Sequence, residues 1–330
     1  MKNLKDIILE KLKINKNTKI DKYHYHPKDK EELKKLIIDL MHEHGTEIDL
    51  NDIDISKVND LSYLFCNSKY GYSKYGTGND LPKYNTNQFN GDISEWDVSH
   101  VTNMECMFFG SYFNGDISKW NVSNVEDMNN MFSFSDFTGK NGDISEWDVR
   151  NVKDMASMFQ HCKFNGDISN WRTDSLENMI WMFAAAEFDG DLSKWDVSKV
   201  TSMEALFTCS KFTGKKGDIS KWDVSKVTNM KDMFRRTKFN TDISKWDVSS
   251  VRSMSNMFQE AEFNQDISKW DVSNVTGMWN MFEKSKFDKD LNKWKINKDC
   301  FTADMFDDCP IKKNNKLPKW YHETKKINLG

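Results

Sequence analysis

The sequence predicts an α/β repeat fold: a right-handed solenoid of about ten strand–turn–helix units, with a parallel sheet on one side and short helices on the other. Three observations carry this expectation. Nine tryptophans, Trp96, Trp120, Trp147, Trp171, Trp195, Trp222, Trp246, Trp270 and Trp294, recur at intervals of 24 or 27 residues. Each stands in nearly the same phrase, Phe-Asn-Gly-Asp-Ile-Ser-x-Trp-Asp-Val-Ser-x-Val-Thr-x-Met-x-x-Met-Phe. The apolar residues of that phrase keep fixed columns, as a stack with one continuous core requires.

In the unit around Trp120 the apolar columns are Phe113, Ile117, Trp120, Val122, Val125, Met128, Met131 and Phe132. Trp120 and Val122 alternate about Asn121, which predicts a short strand with one buried face. Val125, Met128, Met131 and Phe132 fall on one stripe of a two-turn helix, with Ser123 placed as its N-cap. Phe113-Asn114-Gly115-Asp116 carries turn chemistry. Neither element is long enough to be stable alone, so stacking must supply the stability. Ten strands spaced by about 4.8 Å give an array roughly 45–50 Å long.

Three domains are expected: an N-terminal helical cap over 1–47, the repeat array over 48–309 and a C-terminal cap or tail over 310–330. Within the first, Lys30 to His44 reads as an amphipathic helix with Leu33, Leu36, Ile37, Leu40 and Met41 on one face. Leu4 to Leu12 reads as a second short helix. A first, disguised unit runs through Ile53, Ile55, Val58, Leu61 and Leu64-Phe65, with Ile53 in the tryptophan column. A long insertion, roughly Gly71 to Gln88, follows it and reads as a solvent loop. Two three-residue insertions, Gly139-Lys140-Asn141 and Gly214-Lys215-Lys216, fall at one place in the repeat, which marks a surface turn. At the far end Asp299 and Thr302 replace apolar columns, and Leu317-Pro318-Lys319-Trp320-Tyr321 is expected to close the core.

Composition narrows the function classes. The chain carries 47 basic and 51 acidic residues, a net charge of −4, which disfavours nucleic-acid binding. No apolar run approaches a membrane span, and the N-terminus shows no secretory signal pattern. Cys66, Cys106, Cys162, Cys209, Cys300 and Cys309 have no framework spacing and are expected to be reduced. Cys162 and Cys309 share a column with Ser135, Ala186, Ala261 and Ser285, and read as small buried fillers.

The repeat columns also supply the candidate site. The tryptophan column reads as core rather than as an aromatic track for sugars, because it is in phase with Val. The recurrent Asp of Gly-Asp-Ile, for example Asp92, Asp116 and Asp143, reads as a backbone-bonding turn residue rather than a Ca²⁺ ligand. The residues flanking Trp point to solvent. Lys194, Lys221, Lys245, Lys269 and Lys293 precede it in consecutive units, and Asp196, Asp223, Asp247 and Asp271 follow it. Like charges stacked at that spacing repel by about 0.9 kcal/mol per pair in water, which a neighbouring row of opposite sign offsets. Arg172 interrupts the Asp row. These ten residues form the candidate interaction face, and Tyr72, Tyr75 and Tyr84 of the insertion form a candidate binding loop. His24, His26, His42 and His44 lack metal-ligand spacing. No nucleophile–base pair, phosphate loop or cofactor motif stands outside the repeat, so no catalytic, cofactor or metal site is assigned and an enzyme is not expected.

The repeated phrase closely resembles that of the BspA-like leucine-rich-repeat surface proteins, a bacterial repeat domain of unknown function common in mycoplasmas and gut bacteria. The likeness covers about residues 48–309. It implies a leucine-rich-repeat-like solenoid, and surface roles such as adhesion or binding of host proteins. Location at the cell surface follows from the resemblance, whereas the missing signal pattern points to the cytoplasm. The expected function is a non-enzymatic protein-interaction scaffold, monomeric, binding through the exposed face. The alternatives are a glycan-binding module and a structural part of a phage or cell-surface assembly.

Overall fold

The computed structural model describes residues 22–67 and 85–321. It corrects the expected architecture. Among the described residues there is no β-strand and no sheet, and the α-helices are two, α1 (Lys30–His44) and α2 (Pro310–Lys313). The repeat is not an α/β strand–helix unit. It is a coil of tight turns, and the coils stack.

Side-chain columns survive while the elements assigned to them do not. In the unit around Trp120 the chain bends where Trp120 N–H donates to Ile117 O (3.2 Å), Val125 N–H to Val122 O (2.9 Å) and Met131 N–H to Met128 O (3.1 Å). These are three-residue turn closures, not the four-residue closures of an α-helix. Asn130 and Phe134 have φ of 56° and stop the expected helix, because the left-handed region cannot continue a right-handed one. The expected cap also fails: Ser123 N–H donates to Asn121 Oδ1 (3.2 Å), so Ser123 sits inside a turn.

The amides released from helix formation bond across units instead. Met128, Asn130, Phe132 and Phe134 donate to Asp154, Ala156, Met158 and Gln160 of the next coil at 2.8–3.0 Å. The carbonyls of Asp127, Asn129, Met131 and Ser133 accept in turn from Met104, Cys106, Phe108 and Gly110 of the preceding coil. Along this segment every inter-coil amide points forward and every carbonyl backward, whereas the residues on either side of it reverse the sense, as Glu126 N–H donates back to Thr102 O (2.9 Å) and Asp136 N–H to Ser111 O (3.0 Å). A strand alternates donors and acceptors along each edge. Here left-handed residues, such as Cys106 and Gly110 or Ser157 and His161, turn successive peptides the same way. This leaves isolated parallel bridges, among them Asn103↔Asp127, Asp127↔Asp154 and Asp154↔Asn178, in place of strands. The series breaks once within the array. Met179 N–H has no acceptor among the described residues, and no bridge joins Asn178 to Ser202.

The core follows from the stack. The nine tryptophans are 1–4 % exposed, and each indole donates to a carbonyl of the preceding coil, as Trp195 Nε1 does to Ile168 O (3.1 Å). Phe108, Phe132, Phe159 and Phe183 stack face to face with centroids 5.5–5.9 Å apart. A second column runs beside it, with Phe113, Phe137, Phe164 and Phe188 each stacked on the first-column ring of its own coil at 4.1–4.4 Å. An asparagine ladder ties the outer turns: Asn90 Oδ1 accepts from Asn114 N–H (2.8 Å) and Asn114 Oδ1 from Thr138 N–H (2.8 Å). Both three-residue insertions place a glycine in the left-handed region, Gly139 at φ 71° and Gly214 at φ 70°.

At the N-terminal end α1 forms over the expected span. Asp29 caps it by accepting from Glu32 N–H (2.9 Å), and Leu33, Ile37, Leu40 and Met41 are buried on the first coils. Lys30 Nζ donates to Asp60 Oδ2 (2.7 Å) and Ser62 Oγ (2.8 Å), and Lys34 Nζ to Tyr63 O (3.2 Å). Burial pushes the Lys34 ammonium below its usual range. At the C-terminal end Trp320 continues the tryptophan column. It stacks on Trp294 at 6.2 Å and donates to Leu291 O (2.8 Å). The expected helix over Leu4–Leu12 lies outside the described residues, as does the insertion up to Tyr84.

Candidate functional site

The turn around each Trp fixes the candidate face. Trp takes the last position of the Ile-Ser-x-Trp turn and its side chain enters the core, so the residue on either side projects outward. Lys194, Lys221, Lys245, Lys269 and Lys293 are all exposed, as are Asp196, Asp223, Asp247, Asp271 and Arg172. The stack brings the ten together on one side. Tyr72, Tyr75 and Tyr84 lie outside the described residues.

The two rows differ in what holds them. Asp196, Asp223, Asp247 and Asp271 each accept the N–H of the residue two positions on, Ser198, Ser225, Ser249 and Ser273, at 2.9–3.1 Å. These are Asx turns, in which the carboxylate closes the backbone bend around the intervening Val. Hydrogen bonds from Ser225 and Ser273, side chain and backbone, hold the Asp223 and Asp271 carboxyls below their usual range. The Asp of Gly-Asp-Ile is bound likewise. Asp218 Oδ1 accepts from Ser220 N–H (2.9 Å) and Asp242 Oδ1 from Ser244 N–H (2.8 Å), in keeping with a turn role.

The lysines are freer. Lys194 Nζ donates to Asn170 Oδ1 (2.9 Å), whereas Lys221, Lys245, Lys269 and Lys293 have no hydrogen-bonded or ion-paired side chain among the described residues. Lys221 and Lys245 reinforce the depressed Asp218 carboxyl only as a smaller effect behind its hydrogen bonds to Ser220. Arg172 pairs within its own coil with Asp174 (2.9 Å). The front half of the same column is neutralised, since Lys119 Nζ meets Glu95 Oε1 at 2.8 Å. A run of unpaired ammonium groups therefore begins at Lys221. Lys319, exposed and just before Trp320, continues it. That position is legible in the echo of Leu291-Asn292-Lys293-Trp294 by Leu317-Pro318-Lys319-Trp320, which sequence reading took for a closing cap alone.

A second face varies more. The outward residues in and just after the Met-x-x-Met-Phe segment change from coil to coil, and they include Phe134, Trp181 and Trp279, which are 43 %, 38 % and 43 % exposed. Phe134 stacks on His161 at 4.5 Å. Phe134 and Trp181 also hold left-handed backbone, so neither burial nor conformational preference accounts for a bulky ring at these positions. The helix expected over the segment takes in the columns of Trp181 and Trp279 and ends short of Phe134.

All six cysteines are free thiols. Cys162 and Cys309 fill the buried small-residue column, each bonded to a phenylalanine carbonyl, Phe137 O (3.2 Å) and Phe287 O (3.0 Å). Among the described residues no group of three or more His, Cys, Asp or Glu side chains is arranged to hold a metal ion. No described helix is long and apolar enough to cross a membrane.

The chain belongs to a family of tandem-repeat proteins, described as "Mycoplasma protein of unknown function, DUF285", whose sequence profile matches residues 82–138, 133–215 and 208–320. No curated protein and no solved structure gives a match.

Proposed function

We propose that the chain is a non-enzymatic binding scaffold that engages a protein partner of acidic surface through the row Lys221, Lys245, Lys269 and Lys293. The observation that supports this reading is the asymmetry of the two rows. The aspartates are spent on Asx turns, whereas the ammonium groups stand exposed without partners at regular spacing. A fixed comb of cations on a stiff core favours steering and register with an acidic partner. An adhesion-type role, implied by the resemblance to BspA-like surface proteins, is one setting for such a comb.

The test is capture from native and host lysates by the wild-type chain and by a Lys221→Ala, Lys245→Ala, Lys269→Ala variant. Partners that bind the wild type and are lost from the variant support the row. An unchanged set of bound proteins excludes it. Binding through the row should also weaken as salt rises from 50 to about 300 mM, where the Debye length falls below about 10 Å.

A further inference from the structure

The inter-coil ladder ends with its last donors unused. In each earlier step the forward amides reach the next coil, apart from Met179. Their counterparts in the last coil, the N–H groups of Thr302, Asp304, Phe306 and Asp308, have no acceptor among the described residues. The backward carbonyls of that coil, Phe301, Ala303, Met305 and Asp307, are already taken by Met278, Asn280, Phe282 and Lys284. The edge is therefore a row of four donors beside a single open carbonyl, that of Cys300, whose counterpart Thr276 O accepts Phe301 N–H (2.8 Å). The opposite edge is covered, since α1 lies over it with Lys30 and Lys34 reaching its polar atoms. The core beside the open row is closed, because Phe306 packs on Tyr321 at 5.0 Å and on Trp320 at 6.4 Å.

Two further observations mark this edge. Phe301 and Trp279, 55 % and 43 % exposed, lie side by side with ring centroids 6.5 Å apart. The row itself carries the carboxylates of Asp304 and Asp308, while Asp307 is held by Lys312 at 2.8 Å. We propose that the edge is a docking site for an extended polypeptide segment with basic side chains, which adds one more rung to the ladder. Peptide carbonyls supply the acceptors that this donor-rich row requires, as in strand addition to an open sheet edge. Asp304 and Asp308 favour lysine and arginine on the incoming segment, and Trp279 and Phe301 give it an apolar flank. A second copy of the chain fits poorly. Its own open edge would set donors against donors, and its acceptor edge lies under α1.

Hydrogen exchange on the full chain tests this, with a synthetic peptide of its own basic segment 226–239 as the probe. That segment carries Lys226, Lys231, Arg235, Arg236 and Lys238 against Asp232. The amides of Thr302, Asp304, Phe306 and Asp308 should exchange freely in the chain alone and slow at least about fivefold when peptide saturates. Asp304→Asn with Asp308→Asn, which suit the left-handed backbone, should weaken peptide binding about fivefold and leave the melting temperature unchanged. The proposal is overturned if these amides are already protected in the free chain, if exchange ignores the peptide, or if a peptide with glutamate at the five basic positions protects equally. It is overturned too if light scattering shows that protection follows dimerisation of the chain.

Discussion

At the residue scale, each core tryptophan is a steric filler and also a hydrogen-bond donor. Trp195 fills the space between coils and gives the Ile168 carbonyl, which already accepts Trp171 N–H (3.2 Å), a second donor from the next coil (3.1 Å). Trp195→Phe should therefore cost about 1–3 kcal/mol, from the lost indole hydrogen bond and the space the smaller ring leaves, read as a drop in the urea midpoint at constant slope. Gly91 is fixed by contact with backbone. A Cβ there would lie 1.9 Å from the Ile48 carbonyl oxygen, and no side-chain rotation relieves that clash. Gly91→Ala should lower stability by at least about 1–3 kcal/mol, and a change within a few tenths would contradict the close approach. Ser157 holds φ of 55°. Ser157→Gly should be neutral or stabilising by up to about 1 kcal/mol, the reverse of glycine's usual effect.

At the scale of the turn, the unit is a set of carboxylate-braced bends, and their protonation should couple to folding. Backbone and side-chain bonds from Ser169, Ser244 and Ser268 hold the Asp167, Asp242 and Asp266 carboxyls below the usual range. A depressed folded-state pKa contributes stability that is present above the unfolded value, about 3.9, and is lost as pH falls through the lower folded values. The array should therefore hold its stability from neutral pH down to about 4 and lose it below. Asp242→Asn keeps an acceptor for the Ser244 N–H, so it should flatten the acid limb at that site. A limb as steep as wild type would remove Asp242 from the account.

How much of this was legible follows from the same turns. Burial columns were readable because Trp, Val, Met and Phe point inward whatever the backbone does. Backbone type was not, since the spacing of Val125, Met128, Met131 and Phe132 fits a helix stripe and also a chain of turns. A clue did exist. The left-handed column holds Asn130, Asp232, Asn256, Asn280 and Asp304, residue types that tolerate positive φ. Cys106, Ser157, Trp181 and Ala205 stand in the same column and obscure it. The lysine row was readable as a row. Its lack of partners was not, because only the coil geometry shows that the aspartates beside it are turned to the backbone.

At the scale of the molecule, coils touch only their neighbours, so stability is a sum over junctions and its minimum can be located. The junction between Asn178 and Ser202 lacks its bridge and two of the bonds made elsewhere, from Met179 N–H forward and from Thr201 N–H back to Glu177 O. Amides on either side of it should exchange faster than those of other interior coils, and uniform protection across the array would contradict a weak junction. The inter-coil ladder also has a mechanical consequence. Its bonds run along the stack axis, so a pull on the two ends strains one junction at a time and does not shear all of them together. The chain should behave as a ratcheted tether, shedding coils singly. Each 24-residue coil releases about 80 Å of slack, a step length that a force–extension trace would read directly.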